Sequence, residues 1–348
     1  MAASMHQLSD LWPALAFLLA AVPLATMLDH LGFFDAAAAS VSARTTSVLG
    51  LWILAAVTTV VLNLDTTIVL LTPLYLRLAR RADVDPLPLL AVPLLLASLA
   101  SSVLPVSNLT TLIAVESLDL SVGDVVSHLA LPSLAATTVG WLCYRRRHPT
   151  RLPVSTGPPP DRRALAVGGA VVLAVLVGFT VGPSFGVRAW AVAVAADLVL
   201  VLITRRGPWR QIPVATAVGI AALALVVGVV VPAGRLDGLL GHDQPAALFG
   251  ITLLAAAAAN AVNNLPAVLV AVDGGAVAGW GQWAWLLGVN VGAVLLPIGA
   301  IANLLWWRLV RAEGVPMTLR RYATLTLPVA GPALVAAAAV LALERAIA

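Results

Sequence analysis

Two short segments concentrate the side chains that could hold a polar solute or a cation. One is Asn63-Leu64-Asp65-Thr66-Thr67; the other is Asn260-Ala-Val-Asn263-Asn264-Leu265-Pro266. Amides and hydroxyls donate and accept hydrogen bonds, and a carboxylate adds a group that can exchange a proton. Each segment interrupts an apolar run, the second extending from about Ala246 to Val272. In hydrocarbon a broken helix persists only where protein or a water-filled cavity supplies partners for the opened backbone. Paired interruptions in the two halves of a chain are the sequence sign of a membrane transport site.

A second pair of breaks follows. Val103-Leu104-Pro105-Val106-Ser107-Asn108-Leu109 matches Leu295-Leu296-Pro297-Ile298-Gly299-Ala300-Ile301, while Asn63 aligns with Asn263. Proline removes a backbone donor and clashes with the preceding turn, whereas Ser, Gly and Asn tolerate or re-satisfy the opened chain. Four half-helix ends are then expected to meet near the bilayer midplane, offering N–H groups and carbonyls to a solute or ion. The candidate substrate- or ion-binding residues are Asn63, Asp65, Thr66, Thr67, Ser107, Asn108, Thr110, Asn263, Asn264, Asn290 and Gly299. The amides either touch solute directly, with Asn108 and Asn264 foremost, or only satisfy backbone. Asp65 is read both as the proton-coupling group and as the N-cap of a half-helix starting at Thr66, two compatible roles.

These residues need a membrane scaffold, and the composition supplies one. The 348 residues are 61% hydrophobic and 10% charged, with a mean hydropathy of +1.00, outside the range of soluble domains. The net charge of +4 comes from short arginine clusters between apolar runs, a membrane-orientation signal rather than a nucleic-acid surface. Runs of span length predict helices near 11–28, 87–116, 122–143, 164–182, 187–204, 211–231, 280–306 and 323–343. The runs 46–80 and 245–273, each with an Asn-bearing break, are expected to be re-entrant hairpins.

Under the positive-inside rule, 17 of the 20 basic residues fall on the cytoplasmic side, leaving Arg188, Arg235 and Arg345 outside. The first hairpin then opens to the cytoplasm and the second to the exterior. The expected architecture is an all-α, multi-pass inverted-repeat transporter of about eight spans in the cell (inner) membrane, N-terminus outside. Residues 1–143 form the first repeat, with hairpin 46–80 and broken helix 87–116. Residues 144–163 form a cytoplasmic linker, and 164–348 the second repeat with extra spans, hairpin 245–273 and broken helix 280–306. No basic residue precedes the first apolar run, so a signal peptide is not expected. The tryptophans at 280, 283, 285, 306 and 307 read as interfacial anchors, and His128 and Cys143 as packing residues.

Three motifs resemble the arsenite efflux permeases, the arsenical pump membrane proteins of the ion-transporter superfamily that also holds di- and tricarboxylate carriers and sodium/proton antiporters. They are Asp65-Thr-Thr-Ile-Val-Leu-Leu-Thr72-Pro73, Val106-Ser107-Asn108-Leu109-Thr110 and Asn263-Asn264-Leu265-Pro266-Ala267-Val268-Leu269. Gly288-Val-Asn290-Val-Gly292 followed by Leu296-Pro297-Ile298-Gly299 is similar to that family's second broken helix. The resemblance implies export of arsenite or antimonite as the neutral trihydroxy acid in exchange for protons; the alternative within the superfamily is a sodium/proton antiporter or a sodium-coupled di- or tricarboxylate carrier. It departs at two points: the family has adjacent Asn-Asp-Gly at the first tip, and Asp where this chain has Asn290.

No zinc signature, paired-Asp motif, Walker A loop or serine elbow occurs, so a membrane enzyme is the remote alternative, with a non-transporting sensor. One cysteine excludes an internal disulfide framework and a multi-cysteine metal site. No cofactor is expected beyond a coupling proton or sodium ion. The expected partners are the lipid bilayer and a small oxyacid; a homodimer and a separate ATPase subunit on the arginine-rich linker are both left open.

Overall fold

The computed structural model describes residues 2–153, 159–207, 212–230, 236–272 and 279–348. The middle of the expected linker, residue 273 of the second expected hairpin, and Arg210 and Arg235 lie outside the described residues. All regular elements described are helical. They are α1 Ala2–His30, α2 Phe33–Ser42, α3 Val48–Val61, α4 Leu64–Arg81, α5 Pro86–Leu99, α6 Leu109–Leu118, α7 Val122–Arg145 and α8 Arg162–Val181. The chain continues through α9 Ala189–Thr204, α10 Val214–Val230, α11 Asp237–Leu240, α12 Pro245–Val262, α13 Asn264–Val272, α14 Trp280–Val291, α15 Ile301–Ala312 and α16 Leu319–Ile347.

Local sequence explains the starts of these helices. Asp85 caps α5 through the N–H of Leu87 at 3.1 Å, and Ser121 and Asp124 form a reciprocal capping box at α7. Asp161 caps α8 and Thr318 caps α16. Such side-chain oxygens satisfy first-turn N–H groups that have no partner within the helix.

Among the described residues four helices are long and apolar enough to cross a bilayer: Val122–Arg145, Arg162–Phe179, Pro245–Val262 and Leu319–Ile347. A fifth is obtained if Leu15–His30 and Phe33–Ser42, bent by 70°, form one span. That count by length leaves out 87–116 and 280–306, each divided into shorter helices as expected of broken spans, and α9 and α10, which have 16 and 17 residues. The bend after α1 occurs at Gly32, whose φ of 78° suits glycine. Pro245–Val262, expected as one arm of a hairpin, is itself long enough to cross.

Small residues let the core helices approach closely, the usual basis of packing in lipid. A Cβ added at Gly288 of α14 would strike the Thr252 carbonyl, and one at Gly292, just after α14, the Ala256 methyl, both on α12. At one end of the molecule Arg77 of α4 lies 2.7 Å from Asp29 and 3.5 Å from Glu313, and Arg80 lies 2.9 Å from Glu313. At the end of α16, Arg345 pairs with Asp243 at 2.8 Å and lies over the Trp280 ring. That ion pair holds the exposed Asp243 carboxyl below its ordinary range. His128 is a packing residue, stacked on Trp283 with ring centroids 4.6 Å apart.

Candidate solute-binding site

Four breaks carry the candidate residues. Between α3 and α4, Asn63 is the N-cap: its Oδ1 accepts from the Thr66 N–H at 2.7 Å. The reading of Asp65 as a cap is therefore corrected. The cap lies two residues earlier, and Asp65 sits half-buried in the first turn of α4. Thr67 donates to the Asn63 carbonyl at 3.0 Å and shares a 2.9 Å hydrogen bond with Thr59, closing the turn between the two arms.

After α5 the chain opens through residues 100–104 into a 3-10 turn at Pro105–Ser107, and Asn108 caps α6 through the N–H of Thr110 at 3.2 Å. The Ser107 hydroxyl donates to the Val60 carbonyl at 2.6 Å, tying this break to the first.

The break between α12 and α13 is a single residue, Asn263, with φ of 76°. With ψ of 150° this residue lies outside the left-handed helical region, a conformation strained for any residue but glycine and held here by the side chain's own hydrogen bonds. Its Oδ1 accepts from Leu265 N–H at 3.2 Å and its Nδ2 donates to the Ile298 carbonyl at 2.8 Å. The fourth break runs from α14 through 3-10 turns at Gly292–Leu295 and Pro297–Gly299 to α15. Here Asn260 supplies the link, donating to the Gly292 carbonyl at 2.8 Å and accepting from the Leu296 N–H at 2.7 Å. Gly299 fits because a Cβ there would overlap the Ala293 carbonyl oxygen.

The two halves meet through Asn290. Its Oδ1 accepts from Asn108 Nδ2 at 3.1 Å and from the Thr110 hydroxyl, and its Nδ2 donates to Thr111 Oγ1 at 2.9 Å. Asn108 Nδ2 also reaches Ser101 Oγ at 3.1 Å. All five side chains are buried. In a low-dielectric interior such a network is cooperative when every member is satisfied, and losing one partner costs about 1–3 kcal/mol.

The structure thus joins Asn108, Thr110 and Asn290 directly, and connects Ser107, Asn263 and Gly299 to them through neighbouring breaks. Asp65 and the buried Asn264 stand at the starts of α4 and α13, and no hydrogen bond ties either side chain to the network among the described residues. Thr66 Oγ1, Ser102 Oγ and Asn303 Oδ1 are buried without a partner among the described residues, leaving donor and acceptor capacity at the breaks. Sequence reasoning left Ser101, Thr111 and Asn260 out of the site. The available signal was their polarity inside or beside apolar helices, within one or two turns of a break. Among the described residues no group of three His, Cys, Asp or Glu side chains could hold a metal ion.

The family model described as citrate transporter matches residues 11–289. The chain belongs to the citrate-transporter family. It is also similar to the arsenical pump membrane protein of Yersinia enterocolitica, 27% identical over 361 residues, covering 91% of this chain and 84% of the relative. The arsenical pump membrane protein of Escherichia coli strain K12 is 26% identical over the same length, with the same coverage of both chains. An uncharacterized transporter of Mycobacterium tuberculosis is 23% identical over 300 residues, covering 76% of this chain and 69% of the relative. Family membership within the ion-transporter superfamily and the apolar helices make this chain a multi-pass membrane transporter.

Proposed function

We propose that this member of the citrate-transporter family is a secondary active transporter that exports arsenite or antimonite as the neutral trihydroxy acid, in exchange for protons. The observation that carries the reading is the buried network of Asn108, Thr110, Thr111 and Asn290, which joins the breaks of both halves with uncharged donors and acceptors. A trihydroxy acid brings three O–H donors and no charge, so an amide and hydroxyl lining suits it without a buried counter-ion. Among the described residues, the buried polar side chains include no Lys, Arg or His to offset a multiply charged carboxylate. The arsenical pump relatives point the same way.

Alternating access is the mechanism proposed, with the hairpins opening to opposite sides of the inner membrane. Contacts at the two ends support it. Near the start of α3, the Thr46 carbonyl accepts from Leu152 N–H at 2.8 Å just beyond α7, while Tyr144 at the end of α7 donates to the Pro88 carbonyl in α5. These contacts support a return arm α4 that finishes on the side where α3 begins. At the other end, Gly281 at the start of α14 lies against the Leu240 and His242 carbonyls ahead of α12. Asp65 is the proposed proton carrier, being a titratable group at a break and separate from the cap.

A second reading is a sodium-coupled carrier of di- or tricarboxylates, or a sodium/proton antiporter. It draws on α4, α6, α13 and α15, which all begin at the breaks and direct their positive dipole ends there. Expression in cells lacking their own arsenite efflux separates the readings. The exporter reading expects lower internal arsenite; unchanged arsenite together with sodium-dependent citrate uptake supports the carrier.

A further inference from the structure

Arg77 stands where the helices that leave the site meet helices that take no part in it. It lies about 21 Å along α4 from the cap Asn63, at 1.5 Å per residue. Its Nη2 donates at 2.7 Å to Asp29 Oδ1, in the last turn of α1, and its Nε lies 3.6 Å from Asp35, in the first turn of α2. The same Nη2 lies 3.5 Å from Glu313, the residue that ends α15, which itself starts at the fourth break. Glu313 is held in turn by Arg80, whose Nη1 donates to its Oε2 at 2.9 Å and whose Nη2 donates to its carbonyl at 2.8 Å.

The partners belong to two groups of helices. α4 packs on α3, α5 and α15, each of which begins or ends at a break. α1 packs on α9 and α10, and α2 on α8; none of these five supplies a break of the site or a member of the Asn290 network. The 70° bend at Gly32 is what brings Asp29 and Asp35, on two successive helices, to one guanidinium. The Arg80 pair with Glu313 stays within the site-bearing group, whereas the Arg77 pairs with Asp29 and Asp35 cross between the groups. The Arg77 side chain is 17% exposed and that of Asp29 29%, so salt screens this crossing pair only in part.

We propose that Arg77 is a latch: its pairs with Asp29 and Asp35 hold the site-bearing helices against α1 and α2, and they break when the site turns to the other side of the membrane. The displacement rests on the alternating-access reading above. Glu313 belongs to the group that carries Arg77, so it remains beside the guanidinium when Asp29 is left behind. A half-buried charge without a partner is costly, and Glu313 removes that cost on release. Arginine keeps its charge at every physiological pH. The latch is therefore opened by movement and weakened by salt, not by loss of the Arg77 proton.

Ala38 reports on the latch, being buried one turn beyond Asp35 on the same face of α2. In a Cys143→Ser background, purified full-length protein carrying Ala38→Cys is alkylated with N-ethylmaleimide, alongside Ala337→Cys, a buried position of α16. Asp29→Asn and Arg77→Gln are each expected to raise the rate at 38 roughly five-fold and to leave the rate at 337 unchanged. Raising salt to about 1 M is expected to speed labelling at 38 when the latch residues are intact and to add little in Arg77→Gln. An unchanged rate at 38 in both variants overturns the proposal. Equal rises at 38 and 337 also overturn it, because they report a general loosening. If neither variant folds, the salt series on the intact latch decides, and a rate at 38 that ignores salt overturns the proposal. Arsenite takes no part in the labelling, so a chain that moves no arsenite contradicts the export reading and leaves the latch to be judged at position 38.

Discussion

Asn108 and Asn290, 182 positions apart in the chain, share a 3.1 Å hydrogen bond in which the Asn108 amide donates to the Asn290 carbonyl oxygen. That oxygen also accepts from Thr110, so one side chain of α14 holds the first turn of α6. The two halves are thereby locked together where their helices break.

Asn290 is expected to tolerate a carboxylate and not a hydrocarbon. In Asn290→Asp the Oδ1 acceptor for Asn108 and Thr110 remains, and a second oxygen replaces Nδ2, to which the Thr111 hydroxyl can rotate to donate. In Asn290→Leu, Asn108 and Thr110 lose a buried acceptor, a destabilisation of about 2–4 kcal/mol. Thermal unfolding in detergent checks this: a large fall in melting temperature is expected for the leucine variant and a small change for the aspartate one.

Gly299 and Gly250 should respond oppositely to alanine. A methyl at Gly299 meets the Ala293 carbonyl and lies 2.8 Å from Asn260 Oδ1. It is expected to cost about 1–3 kcal/mol and to loosen the fourth break. Gly250 lies within α12 with nothing within 4 Å of an added Cβ, so Gly250→Ala is expected to raise stability by about 0.5–1 kcal/mol. Unfolding midpoints of the two variants make the comparison.

Much of this arrangement is legible in the residues because the causes are local. Pro105, Pro297, Asn63 and Asn263 each break or cap a helix through their own backbone chemistry, and the breaks fall beside them. What joins the breaks is not local. Ser107 reaches Val60 from one side, whereas at the fourth break Asn260 reaches across to Leu296 and Gly299 must stay bare. Which partner supplies the side chain depends on packing between distant helices. Asp65 was misread as a cap because Asn63, two residues earlier, competes for the same first-turn N–H groups and wins.

His148 gives the fold a pH dependence outside the membrane. Burial, and then the neighbouring Arg147 charge, lower its pKa, with Asp85 opposing. The fold therefore resists a proton that the unfolded chain accepts. Stability is complete above the ordinary histidine value of about 6.5 and declines as pH falls through it. His148→Asn is expected to flatten the dependence of melting temperature on pH between about 7.5 and 5.5; an unchanged slope assigns the dependence to other groups.

The most direct test of the account is arsenite uptake into everted membrane vesicles under imposed proton or sodium gradients, comparing the unaltered chain with Asp65→Asn. Asn63 keeps the cap in both, so the variant is expected to fold. The account predicts accumulation driven by an acid lumen, abolished by a protonophore and lost in Asp65→Asn. Absence of accumulation under every gradient, or accumulation that persists in the variant and ignores the proton gradient, would contradict it.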